Sequence, residues 1–283
     1  MKHFLIYTNL HKDRDLAVTE HIREFLEQKG CTVSVITESQ TSEEKVISKQ
    51  ADCMLVLGGD GTILRAARQM GELNIPILGV NMGTLGYLTE VEPDNIDSAL
   101  TQLLAGEAQP EERMTLCAQI KSPQGQGKEQ WALNDVVITR SGPLQINDFN
   151  IYVNGQFLKK YSADGIIIST PTGSTGYNLS AGGPIAKPGT RLMLITPICP
   201  HTFNQRSIIL SSEDRIVVEI PEGRNGQQEV EVSFDGGSRT GLRTGDSIAI
   251  TGCERNVVFL KLSKASFLEV LRRKMSENSR REQ

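Results

Sequence analysis

The chain lacks the marks of several common functional classes. Among 283 residues there is one tryptophan, and aromatics make up 5% of the whole. Lys and Arg (30) nearly balance Asp and Glu (34), leaving a formal net charge of -4. That balance implies no general electrostatic attraction to nucleic acid or to an acidic membrane, so an anionic ligand must be handled locally. No apolar run approaches the length of a membrane span, and Met1-Lys2-His3-Phe4-Leu5-Ile6-Tyr7-Thr8 reads as a first strand rather than a signal peptide. No nucleic-acid or membrane partner is expected, and a cytoplasmic location is the simplest expectation. Five cysteines, Cys31, Cys53, Cys117, Cys199 and Cys253, stand singly with no CxxC spacing, which predicts buried, reduced, structural thiols. His3, His11, His21 and His201 form no HExxH pair, so no zinc site is expected and no metal-ligating residue is assigned; a metal would be carried by oxygen ligands. No GxxxxGK[ST] is present and no GxGxxG follows a strand, which excludes the P-loop and the usual dinucleotide fingerprint.

What is there divides into two textures. Phe4 to Tyr7, Thr32 to Ile36, Cys53 to Leu57 and Ile75 to Val80 read as strands. Amphipathic segments alternate with them: Val18, Ile22, Phe25 and Leu26 share one face before Gly30, and a helix is expected from Thr62 to Met70. This βαβ rhythm predicts an α/β domain with a parallel sheet, whose loops at 58–62 and 81–86 lie at strand carboxyl ends and face one crevice. After a helix around Asn95 to Leu104, short alternating segments take over. They fall near 114–121, 130–139, 148–153, 164–169, 192–196, 206–210, 215–220, 229–234 and 246–262, with turns such as Ser122-Pro123-Gln124-Gly125 and Arg224-Asn225-Gly226 between them. The expected second domain is therefore an all-β, sandwich-like one. The expected boundaries are 1–112 for the α/β domain and 113–262 for the β-rich domain. A short helix near Phe267, Val270 and Leu271 would follow, docking on the first domain, with a tail from Ser276 to Gln283 that frays.

Three segments carry candidate chemistry. In Ala51-Asp52-Cys53-Met54-Leu55-Val56-Leu57-Gly58-Gly59-Asp60-Gly61-Thr62 an apolar strand empties into three glycines around one carboxylate. The glycines let backbone N–H groups approach a polyanion, and Asp60 can meet a magnesium ion, a sugar hydroxyl, or both; an Asp-Gly turn without a ligand is the plain alternative. The second segment runs from Asp164 through Thr170-Pro171-Thr172-Gly173-Ser174-Thr175-Gly176-Tyr177-Asn178-Leu179-Ser180 to Gly182-Gly183-Pro184. Hydroxyls, glycines and the start of a short helix can hold a phosphate or ribose without lysine, although hydroxyl-rich connecting loops are also common. In the third, Asn134 and Asp135 interrupt the strand Trp131 to Ile138. The pair can grip two ribose hydroxyls, or mark a bulge.

Together, GGDGT at 58–62, Asn134-Asp135 and DGIIISTPTGSTGYNLSAGGP at 164–184 closely resemble the bacterial NAD kinases, and Ile195 to Thr202 fits the same family. GGDGT alone is shared with diacylglycerol and sphingosine kinases and phosphofructokinases, so the α/β domain is expected to be Rossmann-like in the manner of those enzymes. The resemblance implies transfer of the terminal phosphoryl group of ATP, another nucleoside triphosphate or polyphosphate to the adenosine ribose 2′-hydroxyl of NAD, giving NADP. It implies a divalent metal, magnesium, and a homo-oligomer, dimer or tetramer. Asp60 is implied as proton acceptor, and Gly61 and Arg65 as further contacts. Asn134 and Asp135 are implied as the ribose grip and Asp164 as a nicotinamide-side contact. Thr175, Gly176, Tyr177, Asn178, Leu179 and Ser180 form the loop around the dinucleotide, while Leu85 and Tyr87 line the adenine pocket. Ser162 occupies a binding position where many relatives carry arginine, and Gly237 follows Asp235-Gly236 where relatives often have a polar side chain. A lipid kinase shares the glycine–aspartate turn but needs an apolar acceptor cleft, and a non-catalytic dinucleotide sensor would not need Asp60.

Overall fold

The computed structural model describes residues 1–38, 51–83, 86–142, 146–201, 205–224, 226–263 and 265–281. Leu85, Thr202 and Asn225, named above, lie outside them. Two compact units are formed, Met1–Glu112 with Val257–Gln283, and Arg113–Asn256.

In the first unit β1 (His3–Thr8) pairs in parallel with β2 (Thr32–Thr37) and β3 (Cys53–Gly58), and β3 with β4 (Ile77–Asn81). Phe4 to Thr8, all of β3 and all of β4 are buried, the pattern of parallel strands covered on both faces. Helices Ala17–Gln28, Asp60–Met70 and Ile96–Leu104 cover them, burying Ile22 and Leu26, Ile63, Ala66 and Met70, and Leu100 and Leu103 respectively. The first of these helices starts with Leu16 in the left-handed region, and Asp13 satisfies its free amides by accepting from Val18 N (3.2 Å) and Thr19 N (2.8 Å).

The second unit begins within β5 (Gln109–Ser122), followed by β6 (Gly125–Gln126), β7 (Gln130–Ala132), β8 (Asp135–Arg140), β9 (Asn147–Val153), β10 (Gln156–Ala163) and β11 (Gly165–Ser169). Then come β12 (Leu192–Ile198), β13 (Ile208–Ser211), β14 (Ile216–Glu219), β15 (Glu229–Phe234), β16 (Arg239–Arg243) and β17 (Ser247–Lys261). One sheet has the order β10-β9-β14-β17, with β5 paired to β17, β6 and β7; the other runs β13-β12-β11-β8-β15-β16. Inward side chains of both sheets, among them Leu116, Phe149, Ile151 and Ile250 from one and Ile138, Ile166, Ile195 and Val232 from the other, make one core. β17 leaves this unit at Asn256 and ends in the first, where Phe259 pairs with Ile77.

The structure departs from expectation in four places. The run 130–139 is not one strand: β7 pairs with β5, β8 pairs with β11 and β15, and the chain changes sheets at Leu133-Asn134. β10 and β16 were not expected, because their mostly exposed residues show too little apolar alternation to mark a strand. The C-terminal helix spans Phe267–Arg281, so it runs past Ser276, where the tail was expected to begin. Finally, Cys117 of β5 and Cys253 of β17 form a disulfide across neighbouring strands, and Cys199 is exposed, so the expectation of five buried thiols fails. The two partners lie 136 residues apart, a pairing no spacing rule could supply. Thiol titration of unfolded protein, prepared in air-equilibrated buffer without reductant, should therefore count three thiols per chain, Cys31, Cys53 and Cys199, and five after reduction. Five before reduction would remove the bond.

Candidate active site

In the first unit the chain leaves β3 at Gly58 and enters the helix Asp60–Met70 within two residues, so Asp60 sits in the helix's first turn. Its half-buried carboxylate does not hang free. Oδ2 accepts from Tyr87 N (2.8 Å) and Oδ1 from Leu88 N (3.0 Å), which fixes its plane while leaving lone pairs on both oxygens. Gly86 makes this approach possible, because a Cβ there would overlap Asp60 Oδ1. The two loops touch in the first unit, where Met82 N donates to Gly58 O (3.0 Å). Gly59 and Gly61 face open space, with no heavy atom within 4 Å of where a Cβ would stand. Arg65 on the same helix is paired with Glu38 (2.8 Å). The Tyr87 ring lies beneath Lys274 of the C-terminal helix, 4.0 Å from the ammonium, and its phenol is shifted upward by burial and by the Asp60 charge.

In the second unit the sheet change at Leu133-Asn134 leaves backbone groups without ladder partners. Asp235 supplies them on one side: its carboxylate accepts from Leu133 N (2.8 Å), Asn134 N (2.7 Å) and Asp135 N (3.1 Å). Thr170 supplies them on the other, its hydroxyl donating to Leu133 O (2.6 Å) and its amide to Asn134 O (2.8 Å). Gly173 packs directly on the Asn134 backbone, where any side chain would collide. What remains unpartnered is the Asn134 side-chain oxygen, buried and without a hydrogen bond. Beside it Asp135 is 5% exposed. Burial first, and the Asp235 charge second, push its carboxyl up to about 7.

The other expected residues of this unit fall into two groups. Thr175, Gly176, Tyr177, Leu179 and Ser180 lie in or beside the turn Gly173–Thr175 and the helix Tyr177–Ser180 that follow this backbone, with Tyr177 and Leu179 exposed. Asn178 points inward, its amide donating to Ser174 O (3.1 Å) and Pro184 O (3.0 Å) and accepting from Thr196 Oγ1 (2.7 Å), so its side chain braces the loop. Asp164 faces His201 Nε2 at 3.5 Å. The Ser162 hydroxyl donates to buried Asp148, which also holds Lys160 at 2.8 Å. Thr170 was named from the sequence only within its motif and Asp235 only as the residue before Gly236-Gly237, neither with a role of its own. Asp235-Gly236 after an apolar strand was the available signal, but a turn signal does not say which backbone the carboxylate reaches.

An oriented carboxylate in a glycine turn of the α/β unit, and an amide–carboxyl pair beside a hydroxyl-rich loop in the β unit, are the kinds of group that a phosphotransferase acting on a nucleotide would use. Residues 16–108 match the ATP-NAD kinase N-terminal domain family and residues 133–262 the ATP-NAD kinase C-terminal domain family. The chain is 44% identical to the NAD kinase of Lachnospira eligens, over 97% of this chain and 100% of that one. It is 45% identical to that of Agathobacter rectalis, over 99% and 100%. The chain belongs to the NAD kinase family. Among solved structures, an NAD kinase from Archaeoglobus fulgidus in complex with ATP aligns with a TM-score of 0.75 at 28% identity, covering 93% of this chain and 95% of that one. A yeast NADH kinase complexed with NADH shares the fold, with a TM-score of 0.83 at 24% identity over 99% and 89%.

Asp135 has a consequence for stability. Its unfolded value is 3.8 and its folded value about 7, so between those pH values the folded state binds more protons and stability falls as pH rises. Its contribution is fully present below the unfolded value and is lost as pH climbs through the folded one. Asp135→Asn carries no such proton, so the melting temperature of the wild type should drop relative to the variant between about pH 4 and about pH 7. A difference that stays flat across that range would remove the assignment.

Proposed function

We propose that the chain transfers the terminal phosphoryl group of ATP to the 2′-hydroxyl of the adenosine ribose of NAD, giving NADP, with Asp60 as proton acceptor. The observation that carries this is the aim of Asp60, whose two backbone donors and the bare Gly86 hold one carboxylate edge in place. The ribose oxygen forms a bond to the γ-phosphorus, the bond from that phosphorus to the leaving diphosphate breaks, and the hydroxyl proton passes to Asp60. The transition state of such transfers is loose, so orientation and charge neutralisation supply most of the rate. Gly58, Gly59 and Gly61, opening the helix Asp60–Met70, turn backbone amides towards a polyanion. Arg65 reaches a phosphate by giving up Glu38; both side chains are partly exposed, and such a pair is worth about 0–1 kcal/mol, so the exchange costs little.

Asn134 and Asp135 are assigned to a ribose of NAD, with the orphaned Asn134 oxygen as support. The loop Thr175 to Ser180 is assigned to the dinucleotide through its backbone and through exposed Tyr177 and Leu179. Asp164 is assigned to the nicotinamide side, and Ser162 to the neighbouring contact. Tyr87 is assigned to the adenine. Magnesium is the donor's counter-ion in this scheme and neutralises charge on its phosphates when bound. In this scheme the ion is held chiefly by phosphate and water, with Asp60 as the carboxylate at hand.

The protein is assigned to the cytoplasm; no helix among the described residues is long and apolar enough to cross a membrane. It is assigned to a homo-oligomer because Phe157 and Leu158 of β10 and Ile209 of β13, strands at the ends of their sheets, are exposed. Light scattering should give a multiple of the 31.1 kDa chain mass, and a monomer would remove that assignment.

Incubating the protein with magnesium, ATP and NAD, and reading NADP with a strictly NADP-dependent dehydrogenase, tests the reaction; polyphosphate or another triphosphate in place of ATP reads donor choice. Asp60→Asn keeps the shape and removes the base, so turnover should fall about 10²-fold or more with NAD binding largely retained. Gly86→Ala keeps the carboxylate and moves it, and should also lower turnover. NAD binding without NADP in the wild type would favour a sensor, and wild-type turnover in Asp60→Asn would overturn the role of Asp60.

A further inference from the structure

We propose that Asp235 is a positioning residue for substrate, which sets the orientation of the Asn134–Asp135 grip without itself reaching the dinucleotide. The proposal rests on the assignment of that grip to a ribose of NAD.

The argument starts from the backbone. Where the chain passes from β7 to β8 it leaves one sheet for the other, and the amides of Leu133 and Asn134 belong to neither ladder. Such amides, buried beside Leu133 (0% exposed), need partners. β15 runs next to β8 and stops at Phe234, and Asp235 then adopts a left-handed conformation, φ 49°. Gly236 follows at φ 66°, and Gly237 N closes the turn on Phe234 O at 2.8 Å. This turn folds the Asp235 carboxylate back along β8. Its own amide donates to Asp135 O (3.1 Å), while its two oxygens collect the amides of Leu133, Asn134 and Asp135. The contact is therefore reciprocal, and it holds three consecutive residues from one rigid point. A neutral amide in its place has one acceptor oxygen, enough for two of these amides at most; an ionised carboxylate takes all three with charge-assisted bonds.

Two features separate positioning from mere packing. Every backbone group around Asn134 described above is satisfied by Asp235, Thr170 or Ser169, yet the Asn134 side-chain oxygen is buried and unpaired, as a group kept for a ligand would be. Second, the Asp235 charge acts on the Asp135 carboxyl, while β11 offers it Ser169 and β15 offers Phe234 and Ser233, none of which carries charge. Asp235 thus affects both the direction of the pair and the pH at which Asp135 becomes a full acceptor.

Asp235→Asn removes the charge, keeps the size, and turns one acceptor into a donor facing a backbone amide. The KM for NAD should rise about tenfold or more while kcat changes less than about threefold, with the midpoint of the pH dependence of that KM moved to lower pH. A purely structural role would lower the melting temperature and leave the pH midpoint where it was. Gly236→Ala strains the turn that aims Asp235 but keeps its charge. It should raise the KM for NAD without moving the midpoint, and it serves as the test should Asp235→Asn not fold. Wild-type KM in a folded Asp235→Asn protein, an unmoved midpoint, or failure of both variants to fold would each overturn the proposal. The wild type assayed alongside separates this from the underlying assignment: if it neither binds NAD nor makes NADP, the assignment fails; if it does both and only the variants disobey, the role of Asp235 fails alone.

Discussion

A strand that changes sheets must find partners for the backbone it takes out of the ladder, and the candidate site of the β unit depends on how that need is met. Leu133 and Asn134 carry the chain from one sheet to the other through a dry interior. Each buried amide left unpaired would cost about 1–3 kcal/mol, a large share of a typical folding margin of about 5–15 kcal/mol. Asp235 removes that cost on the amide side, and Thr170 with Ser169 on the carbonyl side. The requirement that keeps the crossing folded also fixes two adjacent polar side chains at one place, so stability and recognition share the same bonds.

The α/β unit solves a similar problem in the opposite sense. There the carboxylate of Asp60 is the group to be held, and the backbone amides of Tyr87 and Leu88 are what hold it. Gly86 brings that backbone close, and the tight exit of β3 into a helix leaves only Gly59 between strand and Asp60. Asp235 takes three backbone donors on its two oxygens and serves as scaffold for the crossing. Asp60 takes one donor on each oxygen, which orients it and leaves a lone pair on each.

This difference also explains what the sequence could and could not reveal. Asp60 stood out because an apolar run ends there in glycines around one carboxylate, yet a ligand-free Asp-Gly turn explained that stretch at least as well until the Asn134-Asp135 and 164–184 motifs stood beside it; the buried strands β1, β3 and β4 were legible because they read as unbroken apolar runs. Asn134-Asp135 was legible as an interruption, but not as a crossing between sheets, since its partners lie roughly 35 and 100 residues away and obey no local rule. The same limit hid the Cys117–Cys253 bond. β10 escaped because Phe157 and Leu158 face solvent together and break the alternation that marks a half-buried strand. Asn178 lies in the most family-specific motif, and its side chain bonds to Ser174, Pro184 and Thr196, a bracing use that the motif did not announce.

The distribution of charge then limits how a polyanionic substrate can be held. The chain carries a net charge of -4, and on the helix that begins at Asp60 the nearest guanidinium, Arg65, is already paired. Around Asn134 the bonding groups are amides, hydroxyls and carboxyls. On the proposed reading, oriented dipoles share in holding the dinucleotide, at little side-chain entropy cost because the loops that carry them are already pinned. Pinned dipoles discriminate by geometry: the Asn134 oxygen is already buried and unpaired in the free chain, so a ligand hydroxyl that meets it would gain about 0.5–1.5 kcal/mol that a ligand missing it forgoes. A lysine-rich site would bind many phosphates; one built on fixed amides and a single buried acceptor favours the ligand whose ribose fits it.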